Sequence, residues 1–333
     1  MDLRLGLYGV AATHHLDASA TTQLEGHAGL GVAPASLAQR AAQGMAVLAA
    51  ALIGLGLVFW VAAHWDTLGR LGRFALLQGV LLVMAGGAVA RPEARVPLSL
   101  LVLLSTGGLL AYFGQTYQTG ADAWQLFALW AVLMLPLCWG LRSDVLWTPW
   151  ALVAMTALSL WVQTHTGHSW RALPDDLAAH MAGWALGLLV VLTLSPPLRR
   201  ATGAGVWALR LALTLLVVMV SASALGALFQ REVAGQYSAG LLLLAALATW
   251  LSLRSNFDIF GLSAAALGLN TLLFGGLVRL LFDRSADGDM VGRLLLLGLT
   301  AAALLAGTVS LILRLSRYHA SSAGSAEPVQ EGA

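Results

Sequence analysis

The chain has 333 residues, of which 59% are hydrophobic and 10% are charged, and its mean hydropathy is +0.79. Soluble domains usually carry about 25% charged residues, so this composition excludes an ordinary soluble domain and predicts one integral membrane domain in a lipid bilayer. The net charge of +2 is too small to indicate a nucleic-acid partner.

The first 43 residues mix polar and small side chains. They lack the basic start and apolar centre of a signal peptide, so we expect residues 1–43 to remain as a short cytoplasmic segment. Asp17 or Ser19 can cap a short helix, and Pro34 can open a second helix that runs through Gln43 into the membrane.

Ten apolar runs follow, and each approaches the ~20 residues that a helix needs to cross a bilayer. They lie at residues 44–63, 74–90, 97–113, 124–141, 145–162, 179–194, 206–225, 238–253, 259–282 and 292–313. Pro196 and Pro197 end the sixth run because proline lacks the amide that continues a helix. The pattern predicts an all-α fold, a polytopic integral membrane helix bundle of about ten transmembrane helices at 44–313, followed by a disordered cytoplasmic tail at 314–333.

The distribution of arginine predicts the orientation of the chain, because basic residues favour the cytoplasmic side of a membrane. If the amino terminus is cytoplasmic, the inner connections and tails receive Arg4, Arg40, Arg91, Arg95, Arg142, Arg199, Arg200, Arg254, Arg314 and Arg317. The outer connections then receive Arg70, Arg73, Arg171, Arg231, Arg284 and Arg293. We therefore predict that both termini are cytoplasmic.

A polar, glycine-punctuated stretch, Gly114–Asp122, separates the third and fourth runs. Irregular backbone cannot stay exposed in hydrocarbon because its amides would lack hydrogen-bond partners, so we predict a loop that re-enters water. Tyr112, Tyr117 and Trp124 flank this stretch, and such rings prefer the headgroup layer.

The predicted topology places this loop on the same outer face as the polar end of the first span. The resulting candidate outer-face cluster comprises His64, Trp65, Asp66, Gln115, Tyr117, Asp122 and Trp124. Two interpretations stay open: a converging site, or ordinary interfacial residues. We favour the second because Trp, Tyr, His and Asp commonly mark the ends of membrane spans.

Two segments of the chain resemble a known family. They are GLGLVFWVAAHWD (Gly54–Asp66) and FGQTYQTGADAWQLFALWAVLMLPL (Phe113–Leu137), and they resemble the bacterial predicted membrane proteins of the domain of unknown function 2157 family. That family's Gly-Gln-x-Tyr loop and Leu-Trp-Ala-Leu run correspond to Gly114, Gln115, Tyr117, Gly120, Asp122, Leu129, Trp130 and Ala131. Its Ala-Asn-Trp-acid motif corresponds to Ala63, Trp65 and Asp66, with His64 in place of the usual asparagine. The resemblance implies a bacterial multi-pass membrane protein with a short cytoplasmic segment before its spans, and no known activity.

The sequence shows no catalytic or metal-binding motif. HExxH and paired CxxC motifs are absent, and without a lysine the chain can form neither a Ser-Lys dyad nor a Schiff base. His64, Asp66 and Asp122 are suitable ligand types for a divalent ion, but their spacing does not favour a site. We expect no catalytic residue, no metal and no cofactor. Cys138 lies within an apolar run and is expected to be a small buried hydrophobe.

The centres of the predicted spans offer neutral polar groups. These are Gln78, Ser105, Thr106, Ser159, Ser221, Ser223, Ser263, Asn270 and Thr271. Ion-coupled transport usually needs an ionisable group within the bilayer, so this pattern disfavours a pump and leaves open a channel or carrier. Arg210 and Arg279 lie near span ends, where their side chains can reach water.

We therefore predict a non-catalytic binding, assembly or envelope component of the bacterial inner membrane. Two alternatives are a transporter or channel for a small uncharged solute, and a membrane enzyme that uses the outer-face cluster. Gly183 and Gly187 form a small-residue pair that suits close helix packing. Such a pair serves either the bundle itself or a homo-oligomer or other membrane-protein partner.

Overall fold

The structure is a computed structural model, and it describes residues 3–28, 35–63, 69–117, 120–167, 172–231, 233–253, 256–282 and 290–324. Over these ranges the chain is almost entirely helical and contains no strand. The helices are α1 Leu3–Thr13, α2 Ala18–His27, α3 Ala35–Ala63, α4 Arg70–Ala90, α5 Arg95–Tyr117, α6 Ala123–Leu141, α7 Asp144–His165, α8 Leu177–Leu194, α9 Arg199–Thr202, α10 Val206–Leu228, α11 Gly235–Ser252, α12 Ile259–Phe282 and α13 Met290–Gly324. Short 3₁₀ turns at Pro92–Ala94, Pro174–Asp176 and Pro196–Leu198 join some of them.

Nine of the described helices are long and apolar enough to cross a membrane: α3, α4, α5, α6, α7, α8, α10, α12 and α13. The predicted all-α polytopic membrane bundle is therefore confirmed. The eighth predicted run, 238–253, lies in α11, which is not among the nine. The first turn of α11 carries Gln236, Tyr237 and Ser238, which lower its hydropathy.

The chain divides into two compact units, residues 1–55 and residues 56–333. In the first unit α1 packs against α2. Asp17 caps α2 as predicted, since its carboxylate accepts hydrogen bonds from the Ala20 amide at 2.7 Å and the Ser19 hydroxyl at 2.9 Å. These bonds hold the pKa of Asp17 below its ordinary value.

The second unit is organised around α10, which packs against α7, α8, α11 and α12. A helix that is apolar on every side is typically buried by its neighbours, and α10 has buried residues along its whole length. Glycines on the neighbouring helices permit the close approach. A Cβ added to Gly187 of α8 would lie 2.9 Å from Leu216, and one added to Gly240 of α11 would lie 2.8 Å from Ala224. Gly183, the other member of the predicted pair, faces Val162 of α7, so both glycines pack within the bundle.

Hydrogen bonds show which connections share an end of the second unit. Asp144, the first residue of α7, accepts hydrogen bonds from the amides of Gly205, Trp207 and Ala208 at 2.9, 3.1 and 3.1 Å. Arg210 of α10 forms an ion pair of 2.7 Å with Asp258, which precedes α12. The α6–α7, α8–α10 and α11–α12 connections therefore meet at one end, which we call the Asp144 end.

The opposite end, the His180 end, holds the α7–α8 and α10–α11 connections. The Gln236 side-chain amide of α11 donates to the Leu173 carbonyl at 2.6 Å. Arg279, near the end of α12, donates to the carbonyls of Gln230 and Arg231 at 2.7 and 3.1 Å. Arg279, which was expected to reach water, therefore also forms hydrogen bonds with the α10–α11 connection.

Two predicted irregular segments are partly helical. The stretch Gly114–Asp122 was expected to be a loop, but α5 continues to Tyr117, and Gln118 and Thr119 lie outside the described residues. The helix supplies the backbone hydrogen bonds that hydrocarbon would deny to a loop, and Gly114 lets α5 approach Leu126 of α6. Similarly, α13 continues beyond 313 to Gly324, because the residues after Leu313 include no proline or glycine before that position.

Candidate functional site

The outer-face cluster predicted from the sequence can be followed only in part. His64, Trp65 and Asp66 lie outside the described residues, so their convergence with the other members stays a prediction. Gln115 is exposed in the last turn of α5, and Asp122 is exposed before α6, where its side chain makes no capping hydrogen bond. The described residues hold no group of three or more His, Cys, Asp or Glu placed to bind a metal.

The two aromatic members of that cluster separate into different contacts. Tyr117 is 59% exposed, and its ring lies 4.9 Å from the Phe113 ring and 5.9 Å from the Phe74 ring. Trp124 is half-buried, and its ring lies 6.2 Å from the His165 ring. These neighbours are aromatic rings at helix ends, which is the arrangement of ordinary interfacial residues.

A cavity of about 310 Å³ lies elsewhere in the second unit, among α7, α8 and α10. Its volume is at the lower end of the roughly 300–1,000 Å³ range of ligand pockets. It is lined by Ser159, Val162, Gln163, Thr166, Ala172, His180, Leu215, Val218, Met219, Ala222 and Ser223. This described lining includes no carboxylate and no arginine, so its polar character comes from hydroxyl, amide and imidazole groups.

His180 is the most unusual residue of this lining. It lies in the first turn of α8 and is 6% exposed, and neither ring nitrogen has a hydrogen-bond partner among the described residues. Burying a polar group without a partner costs about 1–3 kcal/mol. Trp184 lies one turn further along α8, with its ring 6.3 Å from the imidazole, and its indole N–H is also buried without a described partner. Both nitrogens are also hidden from a water-sized molecule, so a molecule in the cavity would provide their hydrogen bonds only once the ring turned towards it.

The hydroxyl groups of the lining already donate their protons elsewhere. Thr166 donates to the Val162 carbonyl at 3.0 Å, and Ser223 donates to the Met219 carbonyl at 2.8 Å. Ser159 donates to the Met219 sulfur at 3.6 Å. Their oxygens keep lone pairs that can accept a hydrogen bond. Neutral imidazole offers one donor and one acceptor, so the site can bind a group that both donates and accepts.

α11 packs against α8 and supports the connection that precedes α8. Gln236 is fully buried and holds the Leu173 carbonyl, which fixes the segment that places Ala172 against the cavity. Asp176 supports the same segment, because its carboxylate accepts a hydrogen bond from the Leu173 amide at 3.1 Å. One turn beyond Gln236, a Cβ on Gly240 would lie 3.5 Å from the Trp184 ring. This register puts Gln236 at the level of His180.

The cavity is open at side chains that are exposed on two candidate membrane-spanning helices. Val218 is 57% exposed although it lies in the middle of α10, and Ala222 and Ser159 are exposed beside it. All three residues belong to helices that are long and apolar enough to cross a membrane. In a bundle that spans a bilayer, side chains exposed at mid-helix would contact acyl chains, so this part of the mouth is lateral. Gln163, near the end of α7, is an exposed lining residue as well.

Comparison with known proteins finds a family match over the first part of the chain. Residues 11–147 match a family model described as Predicted membrane protein (DUF2157). This match confirms the resemblance that the two sequence segments indicated, and it agrees with the apolar helices in describing a membrane protein. No curated protein and no solved structure matches the chain. The matched segment contains the described members of the outer-face cluster but ends at Trp147 in α7, before every residue that lines the cavity.

The sequence prediction overlooked His180 and Gln236. Each lies in the first turn of an apolar helix, where a polar side chain is easily taken for an interfacial residue. One signal was available for His180: Trp184 follows it by four residues, so both polar rings share a helix face with Gly187. That shared face packs within the bundle, which the sequence alone does not reveal.

Proposed function

We propose that the protein is a non-catalytic binding component of the bacterial inner membrane and that the cavity beside His180 is its binding site. The observation that carries this proposal is the buried imidazole of His180 in the cavity wall, whose two ring nitrogens have no hydrogen-bond partner among the described residues. A buried polar group without partners is costly, and a ligand that pairs with it recovers that cost on binding. The described lining residues include no carboxylate and no arginine, which favours an uncharged ligand.

The lining supports binding better than catalysis. Nucleophilic catalysis needs a hydroxyl or thiol within hydrogen-bond reach of a base. The hydroxyls of Ser159, Thr166 and Ser223 donate to backbone or sulfur acceptors and not to His180. The alternative enzyme built on His64, Asp66 and Asp122 is a separate hypothesis, because two of its three residues lie outside the described ranges.

Two of the polar residues expected along a transport pathway, Asn270 and Ser221, lie at contacts between helices. Asn270 of α12 exchanges hydrogen bonds with Thr308 of α13 at 2.9 and 3.2 Å. The Ser221 hydroxyl is buried, and a Cβ on Gly268 of α12 would lie 3.0 Å from it. At its deep end the cavity is lined by Leu215 and Val218. These contacts favour a binding site over a polar passage through the membrane.

Native mass spectrometry tests the proposal because it detects any bound molecule by its mass. The full chain is purified in lipid nanodiscs and released in the gas phase, and retained non-covalent mass is recorded for wild type, His180→Leu and His165→Leu. His165 is exposed and outside the cavity lining, so it is the matched control. We expect wild type and His165→Leu to retain a molecule that His180→Leu loses. Equal retention by all three proteins, or no retained molecule in wild type, would contradict the proposed site.

A further inference from the structure

We infer that the ligand of this cavity is an uncharged, hydroxyl-bearing lipid with a single chain, which enters sideways from the leaflet at the His180 end. This inference rests on the proposed function and names the class of molecule that the site takes. Its head would lie at His180, and its chain would follow α7 and α10 towards the centre of the bilayer.

The polarity of the cavity changes with depth in the same direction as that of a lipid. Thr166 and His180 lie at the His180 end, and Ser223 lies within about two turns of the end of α10. Leu215 and Val218 lie deeper, with Val218 about ten residues, or ~15 Å, from the end of α10. Half of a hydrocarbon core is also ~15 Å thick. A leaflet lipid therefore fits the cavity in the orientation it already has in the membrane.

The mouth of the cavity indicates the route of entry. Val218, Ala222 and Ser159 are exposed on spanning helices, so the cavity is continuous with the surface that acyl chains contact. An opening towards acyl chains gives no direct route from water, so it does not favour a water-soluble ligand. A lipid can slide in without leaving the leaflet.

The size and chemistry of the cavity restrict the lipid further. The volume of about 310 Å³ lies at the lower end of the range for ligand pockets, which suits a small head with part of one chain. Once the His180 ring turned towards the cavity, a head that carries hydroxyl groups could accept from the N–H nitrogen of the neutral ring or donate to its other nitrogen, because a hydroxyl both donates and accepts. A carboxylate only accepts, and the described lining has no cation to pair with it.

Photocrosslinking in nanodiscs tests this inference with three defined probes. They are a monoacylglycerol and a phosphatidylglycerol, each with a diazirine in the acyl chain, and a water-soluble diazirine alcohol. Crosslinked peptides are mapped by mass spectrometry in wild type, His180→Phe, Val218→Trp and Ala222→Phe. Leu242→Trp is the matched control, because Leu242 is a strongly exposed residue of α11 outside the lining.

We expect monoacylglycerol to label the α7 and α10 peptides, and phosphatidylglycerol to label them far less. His180→Phe should reduce the monoacylglycerol label about tenfold, the effect of losing one buried hydrogen-bonded partner. Both substitutions at the mouth should reduce it similarly, whereas Leu242→Trp should not. His180→Gln, which keeps a donor and an acceptor, should retain more label than His180→Phe.

The other outcomes separate this inference from the proposed function. If the water-soluble alcohol labels the cavity in a His180-dependent manner while substitutions at the mouth have no effect, the lipid is excluded and the binding function stands. Equal labelling by both lipids, independent of His180, would mean annular lipid and would overturn the lipid inference. If labelling by the alcohol is also independent of His180, the proposed binding site is overturned as well. Circular dichroism and size-exclusion elution identify variants that fail to fold, and having two substitutions at the mouth keeps the test decisive if one fails.

Discussion

The carboxylate of Asp144 accepts a hydrogen bond of 2.9 Å from the amide of Gly205. Its two oxygens also accept from Trp207 and Ala208, so one side chain at the start of α7 caps the amino-terminal end of α10. The first amides of a helix have no partner within that helix and need such an acceptor. Because α10 contacts four other helices, this cap anchors the helix on which the cavity is built.

Replacing Asp144 by alanine should lower the stability of the membrane domain by about 2 kcal/mol, the upper end for a lost helix cap, because three amides lose their acceptor. Thermal unfolding in one fixed detergent measures the change. Asp122→Ala is the control, since Asp122 occupies the corresponding position before α6 without a capping bond and should change stability by less than about 0.5 kcal/mol. Equal effects of the two substitutions would refute the assigned cap.

The neighbouring glycines Gly107 and Gly108 of α5 should respond oppositely to alanine. A Cβ on Gly107 would overlap the Trp130 ring, whose N–H donates to the Leu103 carbonyl at 3.0 Å, whereas a Cβ on Gly108 meets no atom within 4 Å. Gly107→Ala should therefore destabilise the protein by about 1–3 kcal/mol through overpacking. Gly108→Ala should stabilise it by about 0.5–1 kcal/mol because alanine favours the helix. Thermal unfolding of the two variants decides this, and a destabilised Gly108→Ala would count against the helix packing described.

The bond between Asn270 and Thr308 should contribute to the attachment of α13. Asn270→Ala and Thr308→Val should each lower stability by about 0.6–1.7 kcal/mol, the usual range for a hydrogen bond between membrane helices. The double variant should lose little more than either single one, because both remove the same interaction. Thr271→Val is the control, since the Thr271 hydroxyl donates to Leu267 of its own helix. Strictly additive effects would exclude a direct bond.

The predicted orientation places the His180 end outside the cytoplasm. In a Cys138→Ala background, single cysteines at Asp175 and Glu93 test it, because both residues are exposed and lie at opposite ends of the second unit. A membrane-impermeant thiol reagent should label Asp175→Cys in intact cells and leave Glu93→Cys unlabelled until the cells are permeabilised. The reverse pattern would show that the arginine distribution was misread and would move the proposed lipid site to the cytoplasmic leaflet.

The segments that the sequence predicted well depend on local chemistry. The long apolar runs form helices because an apolar span in a membrane must satisfy its own amides. Asp17 caps α2 through neighbours two and three residues away, and Pro196 follows α8 after Ser195. In each case the residues that decide the structure are adjacent in the chain.

The cavity is formed by contacts between segments that are distant in the sequence. His180 lines the cavity together with residues of α7 and α10, and Asp144 binds an amide 61 positions away. The sequence could not show which of Gly107 and Gly108 contacts Trp130, because a membrane helix is apolar on its lipid face and on its packed face alike. Hydropathy therefore determined that these helices enter the membrane, whereas only the complementary shapes of their side chains determined which faces meet and where a polar group is left at a cavity.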